Sequence, residues 1–130
     1  MGSLIVISGE KTGEFLPLGQ RISVIGRAES LPLQILDDLV SRRHFRVRFD
    51  KDTGKYYAED MGSKHGTLIN LRRITEETAL SEGDEVLVGQ TKLLFTENDF
   101  DTKESALMHW KKVGEKSRPT RTGQTNSGRP

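Results

Sequence analysis

Three short segments of the chain carry side chains that could bind an anion. They are Gly26-Arg27, residues 41–44 (Ser-Arg-Arg-His) and residues 62–67 (Gly-Ser-Lys-His-Gly-Thr). Pooled, they offer cations, short hydroxyls and glycines where backbone could approach closely: Arg27, Arg42 and Lys64; Ser41 and Ser63; Gly26 and Gly66. Cations, hydroxyls and backbone N–H groups with no general base beside them are the donor set for a phosphate. We therefore expect these segments to form an anion-binding site if the fold brings them together.

Short strands separated by turn residues must position these segments. From residue 44 to 50 the chain alternates apolar and cationic side chains, a period of two that predicts a half-buried strand. Arg46 and Arg48 are expected on the solvated face of an edge strand. Further strands are predicted over 4–8, 14–19 and 21–26, near 33–36, over 55–60 and 67–70, near 79–80 and within 85–97. Strands this short and regular predict an all-β fold, an antiparallel β-sandwich whose end loops can converge.

The chain divides into a globular part and a polar tail. Residues 1–100 form the predicted sandwich domain. Residues 102–113 have modest helical character, with Ala106, Leu107 and Trp110 roughly on one side. Residues 114–130 are mostly Gly, Ser, Thr, Pro and Arg, with little that could be buried. We therefore predict that residues 101–130 are a short helix or a disordered, basic tail.

Composition and charge limit the classes of function. Residues 1–110 hold 14 Lys and Arg against 18 Asp and Glu, whereas residues 111–130 hold six against one. An acidic body does not carry the basic face of a duplex-binding domain, so no nucleic-acid partner is expected. The chain has no Cys and no apolar run of membrane-spanning length, which favours a cytoplasmic location without membrane contact. The basic cluster around Ser41 is therefore local and indicates a small anionic target.

The three segments, in their order, resemble the forkhead-associated (FHA) domain family, a phosphothreonine-binding β-sandwich. The family pattern is Gly-Arg, then Ser-x-x-His, then a loop ending in Gly-Thr with an Asn a few residues later. Here these are Gly26-Arg27, residues 41–44 and residues 62–70, and the resemblance covers residues 3–97. It implies a phosphothreonine-dependent protein-binding module of signal transduction that reads segments modified by a Ser/Thr kinase. It also implies that the chain is not an enzyme and needs no cofactor.

The resemblance also implies a role for each matching residue. Arg27 and Ser41 would contact the phosphate directly, Arg42 would flank it, and Lys64 would add a further donor. His44 would brace the loops by hydrogen bonding without touching the ligand. Four further residues would shape the loops: Gly26, Gly66, Thr67 and Asn70.

Two positions depart from the family pattern. His65 stands where the family usually has the Asn that hydrogen-bonds the peptide backbone beside the phosphothreonine, so the peptide-binding role falls on His65. Leu71 replaces the Gly that commonly follows Asn70, which is expected to alter the next turn.

Other interpretations were weighed against this one. An FHA-fold interaction module that has lost phosphate binding, and contacts proteins through a sandwich face, stays open as the alternative. Ser41, His44 and Asp60 lack the strand-to-helix elbow that exposes a hydrolase nucleophile, so no catalytic residue is predicted. The histidines have no metal-ligand spacing, so no metal site is predicted. The pair Asp37-Asp38 is interpreted as a loop cap.

The tail offers a ligand within the chain itself. Thr120, Thr122 and Thr125 lie in its basic segment, the kind of sequence that kinases modify. Tethering raises the effective concentration of such a segment to about millimolar. The phosphorylated tail is therefore a second candidate partner beside a separate phosphothreonine-containing protein.

Overall fold

The computed structural model describes residues 2–98 and 103–117, and within the helix it describes the side chains of 104–112. This part of the chain contains eleven strands and one helix. The strands are β1 (Ser3–Val6), β2 (Phe15–Pro17), β3 (Ile22–Gly26), β4 (Leu33–Gln34), β5 (Phe45–Asp50), β6 (Lys55–Asp60), β7 (Thr67–Ile69), β8 (Arg72–Arg73), β9 (Thr78–Leu80), β10 (Glu85–Val88) and β11 (Thr91–Thr96). The helix is α1 (Lys103–Ser117).

The strands form two sheets. One has the order β2-β1-β11-β10-β7-β8 and the other the order β4-β3-β5-β6-β9. Each described strand pair is antiparallel except β3 with β4, which is parallel. Buried side chains from both sheets meet in one apolar core. The antiparallel β-sandwich expected from the sequence is confirmed.

The core takes alternate residues from each strand, because successive side chains of a strand point to opposite faces. Phe45 and Val47 of β5 are fully buried, as are Val86 of β10 and Leu93 of β11. Leu4 of β1 is buried with them. Fully burying such a side chain contributes about 1.5–3 kcal/mol, so these strands form a rigid base for the loops that connect them.

The cationic side chains of β5 lie on the opposite face, but the expectation of an edge strand is wrong. Strand β5 lies between β3 and β6 in the interior of its sheet. Arg46 donates to Glu59 at 2.8 Å, and Arg48 donates to both carboxylate oxygens of Glu77 at 2.6 and 2.8 Å. The charges on this face are therefore neutralised within the protein.

Helix α1 covers the outer face of the six-stranded sheet. Ala106 is fully buried against Ile5 of β1 and Leu94 of β11, and Trp110 packs against the same cluster. Leu107 is half-buried. The helix continues to Ser117, so the disorder predicted from residue 114 onward is wrong for residues 114–117. The rest of that prediction falls on residues 118–130, which lie outside the described residues.

The turn between β7 and β8 has two residues in the left-handed region. Asn70 has φ 50° and Leu71 has φ 70°. The Asn70 side chain is held by hydrogen bonds to Asp84 at 2.9 Å and from the Glu85 backbone N–H at 3.0 Å. Asn tolerates this conformation, whereas a residue such as Leu pays a steric cost because its Cβ crowds the backbone. The expected alteration of this turn is therefore local strain at Leu71, whose side chain is 78% exposed.

Replacing Leu71 by Gly should raise the free energy of unfolding by about 0.5–1 kcal/mol, because relief of left-handed strain exceeds the added entropy of the unfolded chain. Urea unfolding measures the change. Leu71→Ala is the matched control, since it removes the exposed side chain and keeps the Cβ. A Gly variant no more stable than the Ala variant would contradict strain at this turn.

Candidate phosphate-binding site

The three candidate segments meet at one end of the sandwich. Backbone hydrogen bonds join the end of β3 to residues 41–42: the Arg27 N–H donates to the Ser41 carbonyl at 3.0 Å, and the Ala28 N–H donates to the Arg42 carbonyl at 3.1 Å. The Lys64 N–H donates to the Ser41 hydroxyl oxygen at 3.0 Å. Loops that are far apart in sequence are therefore fixed within hydrogen-bond distance of one another.

A single buried side chain, His44, ties two of these segments together. Its Nδ1 accepts a hydrogen bond from the Ser41 backbone N–H at 3.0 Å. Because a backbone N–H can only donate, Nδ1 carries no proton, and Nε2–H donates to the Gly66 carbonyl at 2.8 Å. The ring is fully buried and neutral in this arrangement. Both of its nitrogens are satisfied by backbone, so the ring brings no free polar group to a ligand.

Gly26 is required by close packing. A Cβ at this position would lie 2.2 Å from the Arg42 carbonyl oxygen and 2.9 Å from that of Ser41. The glycine therefore lets β3 approach residues 41–42, which in turn allows the Arg27 and Ala28 N–H groups to reach their carbonyl partners.

The Arg27 side chain is positioned by its own hydrogen bond. Nε donates to the Val40 carbonyl at 3.0 Å, which fixes the guanidinium beside Ser41. The two terminal amino groups have no hydrogen bond to a protein acceptor within residues 2–98, and the side chain is exposed. A guanidinium held at Nε with free terminal groups is suited to bidentate binding of a phosphate.

Residues 62–66 are held by the carboxylate of Asp60. It accepts hydrogen bonds from the Ser63 N–H at 2.9 Å, from the Ser63 hydroxyl and from the Thr67 hydroxyl at 2.7 Å. The Gly66 N–H in turn donates to the Ser63 oxygen at 2.9 Å. Burial alone would raise the pKa of Asp60, but the hydrogen bonds from Ser63 and Thr67 outweigh it and lower the pKa below the ordinary value of 3.8.

The expected site residues lie on neighbouring loops at one end of the sandwich. Ser41, Lys64 and His65 lie on adjoining loops, and Arg27 and Arg42 line one cavity beside them. Lys64 and His65 are exposed. Gly66 has φ 84°, and the Arg73 guanidinium packs where its Cβ would be.

Three of the cations at this end, Arg27, Arg42 and Lys64, differ from those on the face of β5. Arg46 and Arg48 are paired with carboxylates. Within the described part of the chain, neither Arg27 nor Arg42 nor Lys64 is in an ion pair. Where the loops converge, these three cations are therefore left without carboxylate partners and can pair with an anion.

The hydrolase arrangement considered from the sequence is not assembled. His44 bonds the backbone of Ser41 and not its hydroxyl, and Asp60 bonds Ser63 and Thr67. The loop-anchoring role of Asp60 was missed in the sequence, although an Asp followed three residues later by Ser is typical of such a turn.

Asp37 caps its loop, as expected, and its carboxylate also binds a second loop. It accepts from the Leu39 N–H at 2.9 Å, and also from the Gln90 N–H at 2.8 Å and the Thr91 hydroxyl at 2.7 Å. It thus ties the segment before Ser41 to the turn between β10 and β11. Burial opposes ionisation here as well, yet these hydrogen bonds lower the pKa of Asp37 below 3.8.

The fold and the candidate site together define a β-sandwich whose converging loops carry unpaired cations. The sequence model of the FHA domain matches residues 23–89. This chain therefore belongs to the FHA-domain family, and the resemblance seen in the sequence is confirmed.

Several curated proteins are similar to this chain. The FHA domain-containing protein FhaB of Mycobacterium tuberculosis (strain ATCC 25618 / H37Rv) is 32% identical over 90 residues, covering 69% of this chain and 57% of FhaB. The glycogen accumulation regulator GarA of the same strain is 34% identical over 92 residues, covering 71% and 55%. The chain thus spans little more than half the length of these relatives.

Solved structures share the fold. The FHA domain of FhaA, crystallised with the intracellular domain of a second protein, has a TM-score of 0.65 and 25% identity, covering 73% of this chain and 99% of that one. The FHA domain of the CT664 protein from Chlamydia trachomatis has a TM-score of 0.69 and 24% identity, covering 75% and 98%.

Asp60 should make the stability of the domain sensitive to acid. Its pKa is lowered on folding, so it contributes stability that is fully present above the unfolded value and is lost as pH falls through the lower folded value. Asp60→Asn should lower the free energy of unfolding by about 1–2 kcal/mol at pH 7, because it weakens charged hydrogen bonds, and by less at pH 3. Urea unfolding from pH 3 to 7 measures both.

Asp52→Asn removes an exposed carboxylate from the turn between β5 and β6 and is the matched control. A constant stability difference between wild type and Asp60→Asn across this pH range would exclude a role for the charge of Asp60.

Proposed function

We propose that this chain is a phosphothreonine-dependent protein-binding module that reads segments modified by a Ser/Thr kinase. One observation carries the proposal: hydrogen bonds through the buried His44 ring and the Ser41 hydroxyl hold Ser41 next to the Lys64 loop, and the unpaired cations Arg27, Arg42 and Lys64 lie on these loops. A phosphate carries about −1.5 to −2 charge near neutral pH and accepts several hydrogen bonds. The arrangement matches that chemistry without a base or metal.

The proposed roles follow from position. Arg27 binds phosphate oxygens through its free terminal amino groups, and the Ser41 hydroxyl donates to a further oxygen. Arg42 flanks the phosphate, and Lys64 adds charge from the opposite loop. His65, exposed beside Lys64, binds the peptide backbone.

The relatives support a regulatory setting. Their names include a glycogen accumulation regulator and, in Corynebacterium diphtheriae, an oxoglutarate dehydrogenase inhibitor. We propose that this chain likewise serves signalling by binding, without catalysis, in the cytoplasm and with neither nucleic acid nor membrane as its partner. None of the described helices is long and apolar enough to cross a bilayer.

The tail remains a proposed partner as well. Thr120, Thr122 and Thr125 lie outside the described residues, so the proposal depends on their sequence alone. A phosphorylated tail would compete with other phosphopeptides in cis or link two molecules.

The alternative module without phosphate binding has one observation in its favour. Ile22 is 60% exposed on the outer face of the five-stranded sheet, where it pairs with Arg48, and Arg48 lies over the Tyr57 ring. Such a face could contact a protein. Equal binding of a partner with and without phosphothreonine would favour this alternative.

Arg27→Ala should weaken phosphothreonine-peptide binding about thirtyfold or more, because one partner of a close charge pair is lost. Isothermal titration calorimetry with a phosphothreonine peptide, its unphosphorylated form and a phosphorylated tail peptide measures the effect. Arg21→Ala is the matched control, since Arg21 is an exposed arginine just before the other end of β3. Affinities within threefold of each other for wild type and a folded Arg27→Ala would refute the site.

Phosphoserine peptides should bind at least about fourfold more weakly than their phosphothreonine counterparts, because burial of the threonine methyl contributes about 0.8 kcal/mol. This expectation rests on the methyl pocket that the family resemblance implies. Matched peptide pairs in the same titration give the ratio. Equal affinities would show that no such pocket acts on this ligand.

A further inference from the structure

A cavity of about 850 Å³ opens beside the proposed phosphate site. Arg27 and Arg42 line it, and both are proposed to serve the phosphate. The volume greatly exceeds that of a phosphate group, so the cavity has room for neighbouring residues of a bound peptide. A sphere of this volume is roughly 12 Å across, which equals the span of about three to four residues of extended chain.

The same cavity has an acidic part. Three carboxylates line it, and that of Asp37 is already occupied by the Gln90 and Thr91 hydrogen bonds. Glu29 and Asp38 are exposed and, among residues 2–98, neither side chain has an ion pair or hydrogen bond. Two free carboxylates thus share a cavity with two guanidinium groups that are in no ion pair among the described residues.

An apolar surface accompanies the carboxylates. Leu36 lines the cavity with 73% of its side chain exposed, and Ala28 contributes a buried wall. A long cationic side chain places its methylene stem on apolar surface and its charged head among acceptors. Neither a short polar side chain nor an acidic one uses both features of this cavity.

We propose that the cavity binds a lysine or arginine within about three positions of the phosphothreonine, so that the module selects phosphothreonine in a basic context. The inference rests on the proposed function. The phosphate neutralises Arg27 and Arg42 in the complex, so the net charge left around the cavity is negative. Asp37 keeps its charge but is bonded within the fold, whereas Glu29 and Asp38 are free to pair with a ligand. A basic residue on the ligand is then attracted and an acidic one is repelled.

The test uses the full chain and a neutral Gly-Ala-Ser peptide that contains one phosphothreonine. Arg is placed singly at each position from −3 to +3, and Ala, Leu or Glu replaces it at the best one. Titration at low ionic strength should show the Arg peptide binding about threefold to tenfold more tightly than the Ala peptide, the range for two exposed charge pairs. The advantage should shrink as salt is added.

In the double variant Glu29→Gln with Asp38→Asn, the Arg and Ala peptides should bind with equal affinity, and the Ala peptide should still bind. Asp52→Asn, at the other end of β5, should keep the ratio. An equal affinity for Arg, Leu and Ala peptides, tighter binding of the Glu peptide, or an Arg preference that persists in the double variant would each overturn the inference. Loss of binding by every phosphopeptide would instead overturn the proposed function, and the inference with it.

Discussion

The neutral imidazole of His44 has one donor and one acceptor, and in the buried end of the sandwich each has a single backbone partner. The acceptor takes the Ser41 N–H and the donor reaches the Gly66 carbonyl. Leaving a buried polar group unpaired costs about 1–3 kcal/mol. If either loop moved away from the ring, one imidazole nitrogen would lose its partner, and this cost opposes the movement. The ring therefore helps to orient Ser41, whose hydroxyl oxygen accepts from the Lys64 N–H, together with the hydrogen bond from the Arg27 N–H to the Ser41 carbonyl.

The sandwich has paired cations on one sheet face and unpaired cations at the loop end near His44. Arg46 and Arg48 on the face of β5 are paired with Glu59 of β6 and with Glu77, which lies just before β9. At the loop end two carboxylates are engaged within the fold, since Asp60 holds the Ser63 turn and Asp37 holds the turn after β10. Glu29 and Asp38 line the cavity with Arg27 and Arg42 but are not paired with them. The acids that build the loops are therefore not available to pair with Arg27 and Lys64. The Arg27 guanidinium is held through Nε and Ser41 through its backbone and hydroxyl, so for the proposed phosphate these two donors are positioned in advance, which lowers the ordering cost of binding.

The sequence predicted features that depend on local residue patterns, but it did not predict features that depend on pairing between distant residues. Alternation in β5 identified the buried Phe45 and Val47, but the place of β5 inside its sheet depends on β3 and β6 and could not be read from its own residues. The two-residue strand β8 was missed because a pair of arginines has no periodicity. The candidate site was reached through spacing and family resemblance. The hydrogen bonds that hold the site together were not predicted. Asp37 bonds residues more than fifty positions away, and the bonds of Asp60 to Ser63 and Thr67 went unrecognised.

The two departures from the family pattern differ in what they can affect. Leu71 strains a turn whose neighbour, Asn70, is held by Asp84 and Glu85 at the edge of the six-stranded sheet, so its cost falls on stability. His65 lies between two residues whose backbones are fixed, Lys64 by Ser41 and Gly66 by His44 and Ser63. Its exposed side chain takes no part in those bonds. A change at position 65 therefore alters the surface proposed to contact a peptide without moving the groups proposed to bind phosphate, so the two proposed parts of recognition can vary separately on one scaffold.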